Sequence, residues 1–197
     1  MVKINKVGIY SGTFDPVHTG HIEFALAAIE YANLKKLFIL PEHSPRSKKI
    51  VTDYNLRLKM LKIATIGQER IKVLDISDKQ FFVHSTLPLL QSMNPRDSLV
   101  YICGSDVVKT FMYRWEGLRE LLLTTEIIVG LRSGDSKTEI ESILKDLSVK
   151  EDVVINFSII KSPKHHLSST TIRNGSETIK QLNPKVADFI TKNKLYS

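Results

Sequence analysis

Val7-Gly8-Ile9-Tyr10-Ser11-Gly12-Thr13-Phe14-Asp15-Pro16-Val17-His18-Thr19-Gly20-His21 opens with a short apolar run that Ser11-Gly12 ends. Past this loop, residues 23–32 carry apolar side chains at helical spacing. The stretch therefore predicts a strand, a glycine-bearing loop and a helix, and the same alternation continues along the chain. Residues 37–40 are apolar up to Pro41, and residues 56–66 are amphipathic, with Leu56, Met60, Ile63 and Ala64 opposed to Arg57, Lys59 and Lys62. Residues 71–76 read as a strand, 84–93 as a helix, 99–103 as a strand ended by Gly104, and 115–123 as a helix. A strand over 127–131, a helix over 140–147 and an apolar strand within 153–160 follow. Asn183-Pro184 pairs an N-cap with a proline at the first helical position, which opens a last helix to about Lys192. Short apolar strands alternating with helices predict an α/β fold with a doubly wound parallel sheet and a short C-terminal helical segment, residues 165–197. With neither repeat nor linker, residues 1–197 are expected to form one domain.

The chain has 197 residues, 42% of them hydrophobic and 25% charged, the composition of an ordinary globule. A single cysteine, Cys103, excludes an internal disulfide framework and any multi-cysteine metal site, and ending an apolar strand it reads as core. Met1-Val2-Lys3-Ile4-Asn5-Lys6 has no apolar signal core, and no run reaches the ~18 apolar residues of a membrane span, so a cytoplasmic protein away from membranes is expected. The net charge of +7 points to anionic partners: nucleic acid, an anionic membrane or phosphorylated small molecules.

Ligands of doubly wound sheets lie beyond the carboxyl ends of the strands. That selects the loops after Tyr10, Leu40 and Cys103. In the first, Gly12 permits close backbone approach, and a helix beginning near His18–Thr19 turns its N–H groups toward an anion. His18 and His21, three residues apart, share one helical face and can both bond one phosphate group. A metal pair and a surface coincidence are the other readings, but no cysteine or HExxH pattern supplies a usual third zinc ligand. Leu167-Ser168-Ser169-Thr170-Thr171-Ile172-Arg173 offers hydroxyls and a permanent cation at a helix start, although by itself it is also an ordinary capped helix. Gly104-Ser105-Asp106 follows the third strand, with Trp115 beyond it, where a buried structural tryptophan is the simpler alternative. His165-His166 reads as solvated loop, and neither GxxxxGK[ST] nor GxGxxG occurs.

Gly12-Thr13-Phe14-Asp15-Pro16-Val17-His18-Thr19-Gly20-His21 closely resembles the signature of the nucleotidyltransferase superfamily, and Ser168-Ser169-Thr170-Thr171-Ile172-Arg173 resembles its triphosphate-gripping motif. Gly104-Ser105-Asp106 with Trp115 and Leu121-Leu122 is similar to a segment of the nicotinate-nucleotide adenylyltransferase family. Arg57-x-x-Met60, Ile128-Val129-Gly130-Leu131-Arg132-Ser133-Gly134 and Val186-Ala187-Asp188-Phe189-Ile190 with Leu195-Tyr196 resemble further segments of it, so the likeness runs from Val7 to Tyr196. This resemblance implies a Rossmann-like fold, and adenylyl transfer from ATP to nicotinate or nicotinamide mononucleotide in NAD biosynthesis. It implies His18, His21, Lys48 and Arg173 as the catalytic set. ATP would meet Gly12, Thr13, Phe14, His18, His21, Gly104, Asp106, Ser168, Ser169, Thr170 and Arg173. The acceptor mononucleotide would meet Arg46, Lys48, Phe82, Val83, Asp106, Trp115 and Arg132. Mg²⁺ would be held mainly by the ATP phosphates, with no metal site of the protein's own; Asp15 is a formal candidate for its ligand, but next to Pro16 and the helix start it reads as a turn-forming and capping residue.

The chain departs from that pattern. Ser11 stands where the family has a first glycine, Arg46 and Ser47 replace a proline and a histidine before Lys48, and Val83 replaces a hydroxyl-bearing residue near the pyridine. Another adenylyl- or cytidylyltransferase with a different phosphorylated acceptor is the nearest alternative. A nucleic-acid-binding protein that keeps only the fold is a more distant one. Residues 46–62 hold a net +5 and residues 158–175 a net +3, with Tyr54 the one aromatic in the first, so the charge reads as a local field for two small nucleotides and not for a polymer. A homo-oligomer is compatible with these readings.

Overall fold

The computed structural model describes residues 4–45, 50–113, 115–164, 166–175 and 181–196. Its strands are β1 (Lys6–Gly12), β2 (Leu34–Pro41), β3 (Ile71–Val73), β4 (Ser98–Gly104), β5 (Thr125–Leu131) and β6 (Phe157–Lys161). They pair, all in parallel, in the order β3-β2-β1-β4-β5-β6. The helices are α1 (Thr19–Tyr31), α2 (Tyr54–Ala64), α3 (Val83–Ser92), α4 (Ser105–Thr110), α5 (Leu118–Thr124), α6 (Lys137–Lys150), α7 (Ser169–Asn174) and α8 (Pro184–Lys192). The expected Rossmann-like, doubly wound α/β architecture is present, with its switch point between β1 and β4.

Both faces of the sheet are covered, and the strands sort their side chains accordingly. Val7 and Ile9 of β1, and Leu99, Tyr101 and Cys103 of β4, join a core with α3, α5 and α6. Tyr10, Val100 and Ile102 join a second core with α1, α2 and α8. Because successive residues point to opposite faces, a strand buried on both sides must be apolar throughout, as these are. Gly130 of β5 is required by this packing: a Cβ there would lie 2.5 Å from the Phe24 ring of α1.

Local differences from the sequence reading have physical causes. β1 runs on through Ser11 and Gly12 because its ladder with β2 continues to the pairing of Gly12 with Pro41. The helix expected from Trp115 begins only at Leu118, since Gly117 precedes it in the left-handed region at φ 75°. The strand expected within 153–160 shortens to β6, because α6 extends to Lys150 and a turn follows it. Six-residue α4 was not anticipated; it is too short to show a helical period.

Candidate active site

The loop from β1 to α1 is built around buried polar anchors. Phe14 adopts φ 52° and buries its ring in edge contact with Tyr10 and His21. Asp15, joined to Pro16 by a cis peptide, is also buried. Its Oδ1 accepts from the Tyr196 hydroxyl at 2.6 Å and its Oδ2 from the Thr52 N–H at 3.1 Å. Burial pushes this carboxyl up, and the bonds from Tyr196 and Thr52, with the nearby Arg173, more than offset it, so it titrates below the usual range. Asp15 thus secures the turn, while the cap position of α1 belongs to His18.

Arg57 fixes the same loop from α2. Its guanidinium is fully buried and donates to the carbonyls of Thr52 (2.8 Å), Thr13 (2.7 Å), Glu42 (2.9 Å) and His43 (3.1 Å). It ties the loop after β1 to the loop after β2. In the sequence Arg57 reads only as part of a motif and of a polar helix face; the carbonyls that surround it come from chain that folding brings near.

His18 and His21 stand together at the start of α1. The His18 N–H donates to His21 Nδ1 at 3.2 Å, which leaves the proton of a neutral His21 ring on Nε2. The two rings stack with centroids 3.7 Å apart and planes 26° from parallel. His18 is 3% exposed, and neither of its ring nitrogens has a hydrogen-bond partner among the described residues. Burial, with a smaller push from Arg132, lowers its pKa to about 3, so the ring is neutral at pH 7. An uncharged imidazole with both nitrogens unsatisfied is a costly arrangement in a protein interior, unless an incoming ligand supplies the partners.

Three further walls complete the site. At the start of α7, Ser168 is the N-cap and its Oγ accepts from the Thr171 N–H at 3.1 Å. Ser169 Oγ donates to the Pro16 carbonyl at 2.9 Å, and Arg173 donates to the carbonyl of Asp15 and to Thr170 Oγ1. At the end of β4, Ser105 Oγ donates to Asp135 Oδ2 at 2.5 Å and accepts the Arg132 N–H at 2.9 Å. Arg132 Nε pairs with Asp106 Oδ1 at 3.2 Å, and Lys109 bridges Asp135 and Glu139. Toward β2 and α3, Glu42 Oε1 accepts from Ser11 Oγ at 3.0 Å and from the Phe81 N–H at 3.2 Å. The Phe82 N–H donates to Thr86 Oγ1 at 3.2 Å, and Trp115 Nε1 donates to Thr110 Oγ1 at 3.2 Å.

These walls enclose a cleft of about 1080 Å³ at the carboxyl ends of the strands. It brings together Gly12, Thr13, Phe14, His21, Phe82, Gly104, Asp106, Trp115, Arg132, Ser168, Ser169 and Thr170 from the sequence-predicted set. His18 lines a recess of about 20 Å³ that shares Tyr10, His21, Gly104 and Arg132 with the cleft. Val83 lies instead in the core, beside Gly117, and Arg173 serves the loop at Asp15. Arg46 and Lys48, like His165, lie outside the described residues. Tyr10, Glu42 and Lys109 line the cleft without having been singled out; their signal was position alone, at or just beyond the carboxyl ends of β1, β2 and β4. Among the described residues, no group of three or more His, Cys, Asp or Glu side chains is placed to hold a metal ion.

The family model described as Cytidylyltransferase-like matches residues 9–175, which spans the two imidazoles, the β4 loop and α7. The chain belongs to the cytidylyltransferase-like family. Within it, the chain is 32% identical to a "Probable nicotinate-nucleotide adenylyltransferase" of Clostridium novyi, over 98% of this chain and 100% of that one. It is 30% identical to a protein of the same name from Flavobacterium johnsoniae, over 97% of this chain and 98% of that one. Among solved structures, it is similar in fold to nicotinic acid mononucleotide adenylyltransferase from Plasmodium falciparum complexed with NaAD. There the TM-score is 0.78 at 20% identity, covering 98% of this chain and 97% of that chain. The resemblance read from the motifs is thus carried by cytidylyltransferase-like relatives along their whole length.

Proposed function

We propose that this chain transfers the adenylyl group of ATP to nicotinate mononucleotide, or its nicotinamide counterpart, yielding the dinucleotide and pyrophosphate in NAD biosynthesis. One observation carries this reading: two stacked imidazoles at the N-terminal end of α1, one buried with both nitrogens unsatisfied, beside a cleft large enough for two nucleotides. The names of the Clostridium and Flavobacterium relatives support the substrate class.

In the proposed reaction an oxygen of the mononucleotide 5′-phosphate attacks the α-phosphorus of ATP. The bond from that phosphorus to the α,β-bridging oxygen breaks, and pyrophosphate leaves. The attacking phosphate is already ionised at pH 7, with a second pKa of about 6, so no general base is needed. The chain contributes position and electrostatics. His18, as a neutral ring, and His21 donate to the reacting phosphates, and the hydroxyls of Ser168, Ser169 and Thr170 hold the triphosphate. Lys48 and Arg46 neutralise charge from the loop after β2, while Arg173 acts through the loop at Asp15. Phe82 and Trp115 line the acceptor end with aromatic surface, and Asp106 with Arg132 orients polar groups between the two nucleotides.

Both carboxylate oxygens of Asp15 are already engaged. That donor set suits a Mg²⁺ that arrives on the triphosphate, as part of the substrate, and keeps several waters. Held by the ATP phosphates, the ion would supply charge neutralisation across them. In this reading the partners are these two small nucleotides and not nucleic acid, in one catalytic unit working in the cytoplasm.

Pyrophosphate release from ATP, measured with each mononucleotide offered separately, tests the reading. Release with nicotinate or nicotinamide mononucleotide is expected; release with neither, but with another phosphorylated acceptor, would leave only the transferase class.

A further inference from the structure

The segment that follows α8 returns to the loop that carries the imidazoles. Leu195 and Tyr196 pack against the core on the α1 face, and the Tyr196 hydroxyl donates to Asp15 Oδ1 at 2.6 Å. Around Asp15 and Pro16, three remote parts of the chain converge. Thr52 donates to the Asp15 carboxylate, Arg173 and Ser169 of α7 donate to the carbonyls of Asp15 and Pro16, and Tyr196 supplies the last bond. His18 begins two residues beyond Pro16. None of the proposed chemistry uses Tyr196, and it does not line the cleft.

A buried carboxylate is tolerated only when its oxygens are hydrogen-bonded. The tyrosine therefore has a specific partner whose position depends on it, and that partner lies in the loop that sets the depth and tilt of the His18 ring. We propose that Tyr196 is a positioning residue: its hydroxyl, acting through the Asp15 carboxylate, fixes the loop that aims His18 and His21. The proposal rests on the adenylyl-transfer reading for its kinetic consequence. It rests on geometry alone for its mechanical one. Small displacements matter here because phosphoryl transfer catalysed by positioning is steep in distance, with a 1 Å error able to cost on the order of 10²-fold.

Tyr196→Phe removes the hydroxyl and keeps the ring in its packing. In that variant kcat should fall about tenfold, the scale of one hydrogen bond to a charged group, while KM for either substrate stays within about twofold. Amide hydrogen exchange at Phe14, Asp15, Val17 and His18 should accelerate, and the melting temperature should fall by a few degrees because Asp15 Oδ1 loses its donor. A tyrosine with only a packing role would move neither kcat nor this local exchange. Unchanged exchange at those four amides overturns the proposal whatever kcat does, and so does an unchanged kcat in a protein that turns over. If the parent protein releases pyrophosphate with neither mononucleotide, the substrate reading fails, and the exchange comparison still decides whether Tyr196 holds the loop.

Discussion

His18 and His21 stack at 3.7 Å, and the ring of the pair that lies deeper, His18, is the one whose two nitrogens have no partner. The pairing orients each ring against the other and leaves His18 able to meet a phosphate oxygen without first giving up a bond. His18→Ala should therefore lower kcat by ~10²–10³, the loss expected for one transition-state donor. Steady-state turnover checks it, and a variant with near-parent kcat removes His18 from the mechanism.

The same burial makes stability depend on pH. In the folded protein His18 titrates at about 3, against 6.5 when unfolded, so between those values the unfolded chain binds the extra proton. Its contribution is complete above about 6.5 and is lost as pH falls toward 3. Denaturant midpoints of the parent should decline over that window, with a slope of at most about 1.4 kcal/mol per pH unit from this group. His18→Gln should flatten the decline, and equal slopes in the two proteins would contradict the assignment.

Arg57 is a stability determinant at the edge of the cleft. Arg57→Met leaves four carbonyls short of a donor and should cost about 3 kcal/mol. Arg57→Lys should recover little, because an ammonium group cannot span acceptors arranged for a planar fork. Urea titrations of both variants measure this; a lysine variant as stable as the parent would show that charge alone suffices.

Gly130→Ala should destabilise by about 1–3 kcal/mol, since the new Cβ meets the Phe24 ring. Adding Phe24→Leu should cost less in that background than in the parent. Melting temperatures of the four proteins test this coupling, and strict additivity would refute the contact as its cause.

The clustered positive charge makes a further distinction measurable. Oligonucleotide affinity should be weak and nearly flat in salt, because a true polymer binder has a log–log slope of about −0.9 per phosphate neutralised. A slope steeper than about −4 would revive the nucleic-acid reading.

The layered α/β fold was legible because strands buried on both faces must be apolar throughout, and each such run in the chain stands between turn residues. Boundaries were less so: Gly117 and the ladder pairing of Gly12 act through backbone geometry that composition does not display. Within the cleft, the motif residues at strand and helix ends were found because phosphate binding demands particular side chains there. Val83 was read as an acceptor contact and lies in the core, since a valine that opens a helix reads the same whether it faces a ligand or a core. Arg57 and Tyr196 escaped as anchors because their partners, Thr13 and Asp15, are 44 and 181 residues away.

The strand order also governs when the cleft can exist. β1 and β2 are neighbours in the chain, whereas β1 meets β4 across a long separation, in a ladder that runs from Lys6 with Ser98 to Tyr10 with Ile102, and α7 comes later still. The stacked imidazoles belong to the first half and the hydroxyl wall to the second, so neither half folded alone has both sides of the cleft. Closing that long separation is the entropically slow event. The cleft therefore cannot be complete until β4 has paired with β1 and α7, residues 169–174, has joined them.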